Sequence, residues 1–86
     1  MELVHNIQSI RFINEEMIIQ VDNNLYSINL RQVSTRLLNA SEEQRNSYVV
    51  SPSKYGIHWP LIDEHLSIKN LISDEAVLIK KGHPIG

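Results

Sequence analysis

Apolar and polar positions alternate with a period of two through residues 7 to 30, and the alternation reverses direction twice. Met17-Ile18-Ile19-Gln20-Val21-Asp22 and Leu25-Tyr26-Ser27-Ile28-Asn29-Leu30 flank Asn23-Asn24. Asn tolerates positive φ, so this pattern predicts a hairpin with a two-residue type I′ loop at Asn23-Asn24. That loop sets Val21 opposite Tyr26, Ile19 opposite Ile28 and Met17 opposite Leu30, which gathers all six on one face. The other face carries Gln20, Asp22, Ser27 and Asn29, interrupted by Ile18 and Leu25. A turn at Asn14-Glu15 places Phe12 opposite Met17 and Ile10 opposite Ile19. The reading is a three-stranded antiparallel meander with one apolar side.

The period then changes. Val33 and Leu37 stand at i, i+4 within a short helical stretch over residues 34 to 40, and Ser41-Glu42-Glu43-Gln44 reads as a capping box opening a further turn. Tyr48-Val49-Val50-Ser51 and Tyr55-Gly56-Ile57-His58-Trp59 predict a second β-hairpin, with Tyr55, Ile57 and Trp59 on one face and Gly56 and His58 on the other. Trp59-Pro60 ends that strand. Ser67 is placed to cap a C-terminal helix with Ile68, Leu71 and Ile72 along one side. The expected class is therefore α+β: meander, short helices, second β-hairpin and C-terminal helix. Residues 1 to 72 form one domain in this reading, and residues 73 to 86 form a tail, so truncation after Ile72 is expected to leave the fold intact.

Composition narrows the function classes. In 86 residues a second core would not fit, and only one Phe, one Trp and three Tyr supply aromatic bulk to an aliphatic interior. Stability is expected to be marginal without a partner or a second copy. There is no Cys, which excludes disulfides and thiolate metal sites. No basic-then-apolar leader opens the chain and no apolar run approaches the ~20 residues that span a bilayer, so a cytoplasmic location without a membrane partner is expected. The formal charge is −2 with no basic face, which disfavours direct nucleic-acid binding.

The densest segment runs from Ser51 to Ser67 and holds the only Trp. His58, Asp63, Glu64 and His65 invite a metal or acid–base reading, but their spacing matches no ligand motif, and Asp63 and Glu64 also suit the turn before a helix. No catalytic residue, cofactor or metal site is assigned. Trp59 suits either a recognition anchor or a core plug, and the alternation with Tyr55 and Ile57 favours the core. Ser34, Ser41 and Ser67 each precede helical periodicity and read as caps, without the glycine-flanked turn of a hydrolase nucleophile. In the tail, Ala76-Val77-Leu78-Ile79 is a candidate partner-binding element.

Three blocks carry a resemblance: the meander, the run from Leu37 to Arg45, and Tyr55-Gly56-Ile57-His58-Trp59-Pro60-Leu61-Ile62-Asp63-Glu64-His65-Leu66-Ser67. Together they resemble domain-of-unknown-function family 2442, small bacterial proteins with no established activity. The likeness covers roughly residues 7 to 72, and departs from the usual pattern at His65, where relatives often carry an acidic residue. It implies a small α+β domain. Some relatives look fused to a helix-turn-helix segment, which is not expected in this chain; others look like stand-alone partners in toxin–antitoxin-like pairs. The expectation that follows is a non-enzymatic protein-binding or regulatory module, antitoxin-like, acting as a homodimer or with a small protein encoded nearby. Two rivals remain: a small metal-dependent or acid–base enzyme using His58, Asp63, Glu64 and His65, and a purely structural dimerisation module.

Overall fold

The structure is a computed structural model that describes residues 6–52, 55–72, 76–80 and 82. The meander forms as the alternation dictates. Strands β1 (Ile7–Ile13), β2 (Glu16–Val21) and β3 (Asn24–Asn29) pair antiparallel in sequence order. Between β1 and β2, Phe12 faces Met17 and Ile10 faces Ile19, as expected, across a turn in which Asn14 adopts φ 54°.

The second turn sits one residue earlier than the sequence suggests. Asp22 and Asn23, at φ 52° and 71°, are the loop residues, and Asn24 begins β3. Met17 therefore faces Ile28 and Ile19 faces Tyr26, instead of Leu30 and Ile28. A one-residue move of the loop shifts every pairing by two, so each side chain keeps its face. Distant groups select the loop. Asn6 N–H donates to Asp22 Oδ1 at 2.8 Å, and Gln8 holds Asn23 through two contacts of 2.7 Å. Asn24 Oδ1 meanwhile accepts from Gly82 N–H at 3.0 Å.

Helix α1 (Leu30–Val33) and α2 (Thr35–Leu38) are single turns because Ser34 between them is extended, at φ −160° and ψ 106°. Ser34 caps α2 by accepting from Leu37 N–H at 3.1 Å. The predicted capping box opens α3 (Glu42–Asn46), with Ser41 and Gln44 bonded reciprocally at 2.8 and 3.1 Å. An exposed ion pair, Arg31 to Glu15 at 2.7 Å, ties α1 to the first turn. Its hydrogen bond to Arg31 holds the Glu15 carboxyl below the usual carboxylate range.

A second sheet follows: β4 (Val49–Val50), β5 (Gly56–Trp59) and β6 (Glu64–Ser67) in that order. The expected β4–β5 hairpin is present, with Val50 opposite Ile57. Strand β6 is an addition. Glu64, read from sequence as part of a helix-opening turn, instead pairs with Trp59. The expected C-terminal helix is reduced to one turn, α4 (Ile68–Leu71), which buries Ile68 and Leu71 and is not the last element, since a strand follows it. Ser67 occupies its N-cap position without a side-chain cap bond, contrary to its expected role.

The chain does not leave the fold there. Residues placed in a tail by sequence form β7 (Ala76–Lys80), which pairs antiparallel with β3 and completes a four-stranded sheet β1-β2-β3-β7. The core lies on the meander's apolar face. It joins Ile10, Met17, Ile19, Val21, Ile28, Leu30 and Leu37 to Ile57, Trp59, Ile68 and Leu71 from the second half. Among the described residues no helix is long and apolar enough to cross a membrane.

Candidate functional site

The signature segment folds into the β5–β6 hairpin, whose alternation divides its chemistry between two sides. Ile57 and Trp59 point inward and are fully buried. Trp59 is thus the core plug. Its ring packs edge-on to Phe12, with centroids 6.5 Å apart, and tilted against Tyr48 at 6.3 Å. Its indole N–H donates to the Arg45 carbonyl at 2.9 Å, so the one polar atom of this side chain is satisfied at depth. Tyr55, expected to share this face, is instead 44% exposed at the strand entrance. The N–H groups of Tyr55 and Gly56 both donate to Ser51 Oγ at 3.2 Å.

The four candidate acid–base residues are not brought together. His58 and His65 stand directly opposite each other on the outward side, with ring centroids 6.1 Å apart. Glu64 turns the other way. Its Oε2 accepts from Ser34 Oγ at 2.6 Å and its Oε1 from His65 N–H at 2.9 Å. Ser34 therefore links the helix cap to the hairpin, and Glu64 is committed to that link. Asp63 is an exposed turn residue at φ 51°, its carbonyl accepting from Arg36. Pro60, also exposed, opens the same turn. Among the described residues no cluster of three or more His, Asp or Glu could hold a metal ion.

Gly56 has a specific reason to be glycine. A β-carbon there would lie 2.8 Å from His65 Nε2 and 3.2 Å from the Leu66 carbonyl oxygen. The His65 imidazole occupies that space. Beside it, Val33, His65, Leu66, Ser67, Asn70 and Leu71 line an open depression of about 240 Å³. That is below the ~300–1,000 Å³ of typical small-ligand sites.

The other candidate element is β7, the outermost strand of its sheet. Val77, Leu78 and Ile79 are 66%, 49% and 53% exposed, while Ala76 is half-buried against the core. Among the described residues no strand pairs with the outer edge of β7. Val77, Leu78 and Ile79 thus combine an open backbone edge with aliphatic side chains facing solvent, while Ala76 packs toward the core.

Sequence reading missed Arg45 as a residue that ties several segments together. Arg45 donates to the carbonyls of Leu37, Leu38 and Asn14 at 2.9, 3.0 and 2.7 Å, and its guanidinium lies 5.6 Å from the Phe12 ring centre. It ends α2 by satisfying two terminal carbonyls and binds that end to the first turn of the meander. Only its position late in a short helix hinted at such a role.

The family described as "Protein of unknown function (DUF2442)" matches residues 7–76, from β1 into β7. No curated protein and no solved structure matches the chain.

Proposed function

The chain belongs to the DUF2442 family, and on that premise we propose that it is a non-enzymatic protein-binding module, antitoxin-like, serving as the regulatory half of a two-protein system. The observation that carries this reading is the exposed aliphatic edge of β7, with Val77 66% exposed on an outermost strand. Such an edge recruits a partner by strand addition: main-chain hydrogen bonds give affinity, and alternate side chains give selectivity. The chemistry of the signature segment supports the same reading. Glu64 is held by Ser34, Trp59 by the core, and His58 and His65 face outward away from Glu64. An acid–base enzyme built on these residues gains no support from that division.

The test is co-expression of the full chain with the small protein encoded beside it, followed by co-purification. The wild-type chain retains its neighbour, and Val77→Lys with Ile79→Lys releases it while thermal melts stay close to wild type. A neighbour that never co-purifies, or one retained equally by the substituted chain, would sink the reading.

A further inference from the structure

We propose that His58 and His65 form an exchangeable site for a divalent copper ion on the outward face of the β5–β6 hairpin, independent of the β7 edge. The two residues are direct cross-strand partners, both exposed, with ring centres 6.1 Å apart. A first-row ion sits about 2 Å from an imidazole nitrogen, hence about 3.2 Å from the ring centre. Two rings sharing one ion therefore have centres from roughly 4.5 Å apart, bound at right angles, to roughly 6.4 Å apart, bound in line. The observed spacing falls inside that range at its wide end, and small rotations of the exposed side chains cover the rest.

The frame that carries the rings is fixed from the other side of the sheet. His58 lies between Ile57 and Trp59, both fully buried. His65 lies between Glu64, held by Ser34 at 2.6 Å, and Leu66, packed against the core. Both imidazoles project from anchored backbone, so folding already supplies most of the ordering that chelation requires. Once one ring holds an ion, the other meets it at an effective concentration on the order of millimolar or higher. Gly56 adds an independent observation. It shares the outward face with His58, and a β-carbon there would stand 2.8 and 2.9 Å from His65 Nε2 and Cε1. Glycine at this position leaves the His65 ring room to move along that face. Ligand number and type then select the ion. Two imidazole nitrogens with water in the remaining positions suit tetragonal copper(II), which also heads the divalent first-row affinity order. Nickel and zinc bind the same pair more weakly, and zinc is held tightly only by three or four protein ligands.

The experiment titrates the tag-free full chain with copper(II) sulfate in a weakly coordinating buffer at neutral pH, read by electron paramagnetic resonance. The wild type is expected to take one equivalent with low-micromolar affinity and to show two imidazole nitrogens on the ion. His58→Gln and His65→Gln should each weaken binding at least roughly tenfold and leave one nitrogen in the signal. His5→Gln with His83→Gln removes the chain's other two histidines and should change neither affinity nor signal. Both ligand positions are exposed, so circular dichroism melts of the variants without copper should match the wild type. A second readout is the melting temperature, which copper should raise in the wild type and leave unmoved in either ligand variant. Copper held as tightly by the double variant His58→Gln with His65→Gln, or lost in the His5–His83 variant, overturns the proposal. So does a single imidazole nitrogen in the wild-type signal.

Discussion

Arg45 shows how much one side chain decides in so small a core. Its three carbonyl partners come from α2 and from the first meander turn, and its own carbonyl holds Trp59. Arg45→Ala would strand those acceptors and uncover Phe12, for a loss of about 2–3 kcal/mol by chemical denaturation. Arg45→Lys should recover only part, since an ammonium cannot span three acceptors as a planar fork does. Equal stability of the Lys variant and wild type would show that charge alone matters. At Gly56 the constraint is steric. Gly56→Ala drives a methyl group into the His65 ring and should cost about 1–2 kcal/mol. In a His65→Ala background most of that cost should vanish, leaving the closer approach to the Leu66 carbonyl. An unchanged cost would place the clash in the backbone instead. Arg45 did not announce its role: an Arg near a helix end is common, and the carbonyls it meets lie seven or more positions away. A Gly in a strand signals close approach by another backbone, and the Leu66 carbonyl does come near, but the nearest atoms belong to the His65 ring.

At the scale of elements, the meander was legible because a buried face imposes period two and a turn imposes positive φ. Ile19 is fully buried on that face and Gln20 lies on the other. Ile19→Asp should abolish cooperative folding, because an unpaired buried carboxylate costs several kcal/mol, while Gln20→Asp should stay within about 1 kcal/mol. Thermal melts separate them, and comparable losses would mean the faces are assigned wrongly. Strand β6 was not legible. Glu64-His65-Leu66-Ser67 offers one apolar residue and no alternation to count, and it becomes a strand because β5 presents an edge to it. Strand β7 was visible as an apolar run but not as a partner of β3, whose residues lie some fifty positions earlier. Its place in the sheet reverses an expectation: truncation after Ile72 should not leave the fold intact. Stripping β7 bares the β3 edge beside Tyr26 and Ile28 and should cost about 2 kcal/mol or more. A truncated chain that melts like the full one would return those residues to the role of a tail.

For the whole molecule, the two histidines that meet do so across a hairpin, with no third donor beside them among the described residues. Calorimetric titration with zinc or nickel on tag-free protein should therefore show no stoichiometric submicromolar event, because two imidazoles supply half of a tetrahedral set. Such an event, lost in His58→Ala, would reopen the catalytic reading. The α+β class, the face of each meander strand, the capping of α2 and α3 and the burial of Trp59 were determined by the amino-acid sequence itself. Each follows from a period, a turn residue or a cap that acts within a few positions of the chain. The tertiary structure alone decided that the second turn falls on Asp22-Asn23, that Glu64 turns to Ser34 while His58 and His65 turn outward, and that β7 closes one edge of the meander while opening another. Those outcomes depend on contacts between distant segments, such as Asn6 with Asp22, Ser34 with Glu64 and Gly82 with Asn24. A local pattern carries no record of them, because their energy exists only once both segments have been brought together.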